Sequence, residues 1–358
     1  MNISKKNISL FRFIIVTALV MIARPLLDSG RTPSESAIDM FHFSGKTLTC
    51  SIDLGDDMRG GHGLESGFAY AIMHDFAKDH NCQLKIVIGT KGTNYTDSLK
   101  QGAIDILILH HEDVAEENGI VLSDNFIDCS AIAVSSNKSG QIREINEWIN
   151  SYTSSTDFQE KKKLFFRPFN PIKKAEKGLK VETVSPYDDL FKEYAKELGW
   201  DWRMIAAVVY QESKFSISSR SHRGASGLMQ VMPQTGVYYN VTDLIDPQQN
   251  LIAGISHLKR LQNLYKGCDM TEKERINFTL AAYNAGEGRI RDCRNLAKAR
   301  NLNENEWSNI VKVIPLMRED SILEDENVKL GKFKGVETIT YIDNITKLYD
   351  AICQICPR

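Results

Sequence analysis

No charge of one sign dominates this chain. Its 358 residues hold 44 lysines and arginines against 46 aspartates and glutamates, a formal net charge of −2. That balance removes the overall-charge argument for a nucleic-acid partner. The short run Lys161-Lys162-Lys163 reads as a solvated face. Long apolar runs are missing too. Phe13–Ala23 (FIIVTALVMIA) stops short of the roughly 20 residues of a comfortable membrane span. No cysteine follows that run closely, Cys50 being the first, so a lipid-modified N-terminus is not expected. Metal-ligand spacing is absent. His110-His111-Glu112-Asp113 lacks the i, i+4 pair of a helical zinc site and reads as an ordinary loop. Gly60-Gly61-His62-Gly63 lacks the glycine spacing of a phosphate loop. No repeat of fixed period occurs, and no metal or cofactor is implied.

What is present begins with an export signal. Lys5, Lys6 and Arg12 precede the apolar run, which has the length of a signal-peptide core. Arg24-Pro25 follows it with no small-x-small cleavage triplet, so residues 1–30 read as a signal peptide or a retained N-terminal anchor. The expected location is exported, periplasmic or cell-envelope, with membrane association through such an anchor. Export permits disulfides, and seven cysteines leave at least one thiol over. Cys353 and Cys356 have redox-motif spacing without a thioredoxin-like context, which leaves a structural pair or two thiols.

Between residues 45 and 150 strand and helix patterns alternate. Strands are expected at Thr47–Ile52, Leu84–Ile88, Ile104–Leu109 and Ala131–Val134, and helices at Gly67–Lys78, Asn94–Gln101 and Ile142–Ile149. Such alternation argues for a parallel sheet covered on both faces. Asn118–Phe126 reads as a short connection. Asp105 is expected at a sheet edge or facing a cleft. From 151 to 184 no period survives, and the segment reads as a linker. From Pro186 onward the pattern is helical. Asp246-Pro247 combines a cap with proline at the first helical position, and Gly286 marks a stop.

One carboxylate lies on an apolar face. Val209, Val208 and Ile205 stand three, four and seven residues before Glu212, so Glu212 continues the buried stripe of its helix. Burial and a nearby helix C-terminus both raise a carboxyl pKa, which suits a general acid. The alternative is a structural glutamate paired with Arg223 or Lys214. Downstream, Ser221–Pro233 (SHRGASGLMQVMP) combines glycines, neutral hydrogen-bonding groups and methionines, as a sugar subsite would. Tyr283 and Asn284 add a phenol and an amide at a helix end.

The stretches SPYDDLFKEYAKELGWDWRMIAAVVYQESKF, GASGLMQVMPQTG and AAYNAGEG resemble lytic murein transglycosylases with a soluble-transglycosylase-type domain. Glu337-Thr338 and Tyr341–Ile345 resemble the last motif of that family. The likeness runs from Ser185 to about Tyr349, four motifs in order. It implies an all-α, lysozyme-like domain over 185–358 acting on peptidoglycan glycan strands. Glu212 then matches the single catalytic acid/base. Ser221, Gln230, Met232, Tyr283 and Glu337 match groove-lining positions, and Tyr341 a tyrosine near the glutamate; Asn284, beside Tyr283, joins the substrate-binding candidates through its amide. The implied reaction cleaves between N-acetylmuramic acid and N-acetylglucosamine and leaves a 1,6-anhydro sugar. Two rivals are a catalytically silent cell-wall binding protein, which would lack the acid, and a hydrolytic muramidase.

The front half is similar to the first lobe of extracellular solute-binding proteins, a module that F-type membrane-bound transglycosylases carry before their catalytic domain. The second lobe and the ligand-anchoring arginine are missing, so a scaffold or a docking surface for cell-wall proteins is expected in place of a solute sensor. The expected fold is α+β in two domains: a single-lobe solute-binding-like α/β domain over 45–150 and a catalytic domain over 185–358, joined by 151–184.

Overall fold

The computed structural model describes residues 43–54, 64–89, 93–111, 119–167, 169–323, 325–330 and 332–357. The export segment 1–30, Gly60–Gly63 and Glu112-Asp113 lie outside the described residues. The chain folds as a small mixed sheet with helices on both faces, followed by a helical half.

The first half follows β1 (Thr47–Asp53), α1 (Glu65–Asp79), β2 (Gln83–Ile88), α2 (Tyr95–Lys100), β3 (Ile106–His110), β4 (Ile120–Leu122), β5 (Ser130–Ser135) and α3 (Gly140–Thr153). The sheet order is β2-β1-β3-β5-β4. β1 pairs in parallel with β2 and β3, whereas β5 runs antiparallel to both β3 and β4. The wholly parallel sheet expected from the alternation is therefore corrected to a mixed one. Asn118–Phe126, read as a bare connection, contains β4. A tight turn makes the reversal into β5. Ser130 N donates to Ile127 O at 2.7 Å, with Asp128 at φ +41°.

Side-chain alternation buries both faces of β3. Ile106 and Ile108 join the main core, and Leu107 and Leu109 pack with Leu99 of α2 on the other side. Asp105, just before β3, accepts from Lys138 Nζ at 2.7 Å and from Thr49 N at 3.0 Å, a structural role. The joining segment carries two short helices, α4 (Thr156–Phe165) and α5 (Pro171–Glu176), capped by Ser155 and Asn170. Phe68 of α1 meets Phe158, Phe165 and Phe166 edge-on, so α4 packs directly on the first half. Apart from the small cluster around Leu99, the main core runs continuously through both halves.

The helical half holds α6 (Asp188–Leu198), α7 (Trp202–Ser213), α8 (Pro233–Tyr238), α9 (Pro247–Asn263), α10 (Glu272–Ala285), α11 (Glu287–Ala299), α12 (Trp307–Val313), α13 (Asp320–Leu323) and α14 (Val336–Ile355). As expected, Asp246 caps α9, accepting from Gln249 N at 2.6 Å with Pro247 next. The buried Tyr70 of α1 donates to the other oxygen of that cap, Asp246 Oδ2, at 2.7 Å. The sheet half therefore touches the start of the helix that walls one side of the site described below. Among the described residues, no helix is long and apolar enough to cross a membrane. No disulfide joins any of the seven cysteines.

Candidate active site

α7 is buried along Ile205–Val209, and its last turn brings Glu212 to the edge of the core. Both ends of α7 are tied to α14, which runs antiparallel to it. At the start, Asp201 caps the helix and pairs with Arg203 at 2.5 Å, while Arg203 Nη1 donates to Cys356 O at 3.2 Å. At the end, Tyr341 of α14 donates to Glu212 Oε1 at 2.5 Å. The helix stops at Ser213 because Lys214 turns left-handed at φ +55°.

Glu212 is partly exposed, and among the described residues it forms no ion pair with a cation. Lys214, a partner weighed from the sequence, sits over the Tyr210 ring, 4.2 Å from its centre. Arg223 is exposed on the loop. Loss of hydration pushes the Glu212 pKa from 4.5 up to about 7, against the Tyr341 hydrogen bond, which favours the anion. The environment thus holds a carboxyl group poised to give and to take a proton near neutrality.

Tyr283 stands beside this pair. Its phenol pKa is raised by burial and then by the Glu212 charge. Its hydroxyl donates to Met229 O at 2.8 Å, which ties α10 to the glycine-containing loop. That loop is clamped a second time by Asn250 of α9, which is fully buried. Its Oδ1 accepts from Met229 N at 2.8 Å, and its Nδ2 donates to Ser226 O at 2.9 Å and Leu244 O at 2.8 Å. The clamp explains Gly227. At φ +76°, a Cβ there would lie 2.3 Å from both Asn250 Nδ2 and Leu244 O.

On that loop, Ser221 Oγ accepts from Ala225 N at 3.0 Å, and Gln230 Nε2 donates to Ser219 O and Gly227 O, each at 3.0 Å. Met232 is 40% exposed, whereas Met229 is fully buried against Gly254 and has no surface to offer a sugar. Asn284, Glu337 and Tyr341 share a cavity of about 360 Å³ with Gln211, Thr340 and Asn344. Asn284 Oδ1 accepts from Thr338 Oγ1 at 2.8 Å.

A second cleft, of about 280 Å³, is lined by Gln234, Thr235, Tyr238, Tyr239, His257 and Arg260. It adjoins the same centre through His257, whose ring lies 5.5 Å from that of Tyr283. Arg260 pairs with Glu287 at 2.5 Å, and Tyr238 is 70% exposed. The sequence reading missed Asn250, Tyr239, His257 and Arg260. The three on α9 occupy ordinary polar positions of an amphipathic helix, and only the fold turns them inward.

Residues 189–306 match the family model described as Transglycosylase SLT domain. The matched segment contains Glu212, Tyr283 and the clamped loop, while Glu337 and Tyr341 follow it on α14. Among curated relatives, the membrane-bound lytic murein transglycosylase F of Desulfosudis oleivorans is 37% identical over 165 residues, 46% of this chain and 36% of that protein. Its namesake from Shewanella frigidimarina is 33% identical over 176 residues, 49% of this chain and 36% of that protein. The matched SLT region thus spans about a third of either relative's length. Among solved structures, the lytic transglycosylase Slt of Pseudomonas aeruginosa aligns at 21% identity and a TM-score of 0.35, covering 61% of this chain and 28% of that one.

The double role of the loop residues sets an expected result. Gln230→Ala removes two hydrogen bonds to loop carbonyls, and Tyr283→Phe removes the tie to Met229. Each net bond is worth about 0.5–1.5 kcal/mol. Both variants should stay folded, with circular dichroism melting lowered by a few degrees and activity lowered further than the melting shift accounts for. Unchanged activity per folded molecule would assign both side chains to loop support alone.

Proposed function

We propose that the chain is a peptidoglycan lytic transglycosylase, cleaving the β-1,4 bond between N-acetylmuramic acid and N-acetylglucosamine without consuming water. The observation that carries this reading is the Glu212 carboxyl, raised to about 7 and held by Tyr341 within an SLT domain. Protonated Glu212 gives its proton to the bridging oxygen as the C1–O bond breaks. The acetamido group of the muramyl residue shields the cationic carbon, so a second protein carboxylate is not required as nucleophile. Glu212, now ionised and stabilised by the Tyr341 hydroxyl, takes the proton of the C6 hydroxyl, and that oxygen closes onto C1. Glu212 ends protonated, ready for the next turnover.

In this reading 185–358 is a lysozyme-like catalytic domain. Ser221, Gln230, Met232, Asn284 and Glu337 line a glycan groove that runs from the α9 cleft past Glu212 to the α14 cavity. The enzyme works in the cell envelope. The front module over 45–150 is a single solute-binding-like lobe, joined through 151–184, that serves as scaffold or docking surface. The continuous core supports that role, since a lobe packed into its neighbour is not a separately closing clamp. Titrating the whole protein with amino acids should give no saturable heat.

The deciding experiment is mass spectrometry of muropeptides released from purified sacculi. Anhydro products, one water lighter than hydrolytic ones, are expected. Reducing-end products would make the enzyme a muramidase, and no release would leave a binding protein.

A further inference from the structure

The sheet half carries a second constellation that glycan cleavage does not use. Cys129 Sγ lies 3.2 Å from His110 Nδ1, and His110 Nε2 lies 3.4 Å from Glu65 Oε2. Ser130 Oγ is 3.4 Å from the same Nδ1. The order thiol–imidazole–carboxylate is the one in which a nucleophile, a base and the group orienting the base occur together.

Topology brings these three residues together. Glu65 opens α1, His110 ends β3, and Cys129 sits on the tight turn into β5, directly before Ser130, the register partner of His110. The turn is fixed by His111 N donating to Cys129 O at 2.6 Å and by Asn125 Nδ2 donating to Asp128 O at 3.1 Å. β1 lies between β2 and β3, so the chain passes from one side of β1 to the other between these strands. The carboxyl ends of β1 and β3 therefore flank a topological switch point, where open α/β sheets bind ligands.

The tautomer follows from the neighbours. A carboxylate oxygen beside Nε2 accepts a proton, and the two groups beside Nδ1 can each donate one. Nε2 therefore carries the hydrogen, and Nδ1 faces the thiol as a base. The two nitrogens point to different sides of the ring, so thiol and carboxylate do not converge on a common point as metal ligands would. Among the described residues, no cluster of three or more His, Cys, Asp or Glu is placed to hold a metal. Cys129, His110 and Glu65 are each partly exposed, as a site open to a reactant requires.

We propose that Cys129 is a base-activated nucleophile of a second site, taking acyl donors, an ester or a peptide amide. The thiol proton passes to His110 Nδ1 while sulfur bonds to the carbonyl carbon. The bond to the leaving alcohol or amine breaks, and that group departs with the proton from His110. Water then releases the acid from the thioester and restores the thiol. Glu65 is a positioning residue that holds the imidazole tautomer. The proposal stands apart from Glu212 and does not rest on the glycan reading.

The test treats the whole protein with p-nitrophenyl acetate and locates the acetyl group by peptide mass mapping. Base catalysis contributes about 10²–10⁴ in rate. Cys129 should therefore acetylate at least about tenfold faster than Cys82 and Cys268, two half-buried cysteines of the same chain. His110→Gln should bring Cys129 down to their rate. Glu65→Asp, which keeps the carboxylate, should retain more of the rate than Glu65→Gln, which keeps the shape. Release of muropeptides should be unchanged in Cys129→Ala. Acetylation of Cys129 no faster than that of Cys82 and Cys268 would overturn the proposal in the unaltered protein, whatever the variants do. So would a rate indifferent to His110→Gln.

Discussion

Glu212→Gln should abolish release of anhydromuropeptides while the protein stays folded. Glutamine keeps the shape of the side chain and can still accept from Tyr341, but it can neither deliver nor receive the proton. Loss of general acid–base catalysis alone costs about 10²–10⁴ in rate, and in the proposed mechanism one residue serves both steps, so the upper end is expected. The same substitution should change stability in a pH-dependent way. At low pH Glu212 is protonated in folded and unfolded chains alike and has no effect. Between its ordinary 4.5 and about 7 the unfolded chain ionises while the folded protein keeps the proton. In that window the unfolded state binds fewer protons, so stability falls as pH rises. Above about 7 the folded protein carries the whole cost of the buried charge. The gain in melting temperature of Glu212→Gln over the native protein should thus be near zero at about pH 4 and largest at about pH 8. A variant that is inactive yet shows no such gain would mean that Glu212 is not the buried, proton-holding group described here.

That cost was readable in the sequence because an α-helix has a fixed period. Three apolar residues behind Glu212 were enough to put it on the buried face, and the start of α9 and the end of α10 followed from a capping residue and a glycine stop of the same local kind. What failed to show had no local signature. β4 is three residues long, too short for alternation to register, and strand direction is set by the turn at Asp128, not by the strand's own residues. α4 is half lysine and glutamate through its middle. Its anchors Phe158 and Phe165 become a core only when Phe68 of α1 is laid between them. The site divides in the same way. Tyr341 lies 129 residues from Glu212, and composition alone does not join them; the motif resemblance did. Asn250 clamps the loop through two backbone contacts, and holds Leu244 through a third, that no spacing announces. His110 was read as part of a loop, and its neighbours Cys129 and Glu65 come from other elements, so no local spacing joins the three.

Tyr341→Phe should separate the two halves of the Glu212 cycle. The substitution deletes one oxygen from a buried ring, so packing is kept and the fold should persist. What disappears is the 2.5 Å donation to Glu212 Oε1. A hydrogen bond to a charged group contributes about 1.5–3 kcal/mol. At 1.36 kcal/mol per pKa unit, its loss should lift the Glu212 pKa by about one to two units. The sign follows because the bond stabilises the ionised form, so without it the carboxyl keeps its proton to higher pH. On the proposed mechanism the alkaline limb of activity in the native protein should fall through about 7, as Glu212 loses the proton it would donate. In Tyr341→Phe that limb should move to higher pH. The maximal rate should drop about tenfold or more, because the carboxylate formed after bond cleavage is no longer stabilised or aimed at the C6 hydroxyl. A fall in rate with the limb unmoved would mean that Tyr341 serves the groove by shape alone and does not share the proton-bearing carboxyl. A limb that moves with little loss of rate would mean that proton donation limits turnover, and that the stability of the anion matters less than its proton supply.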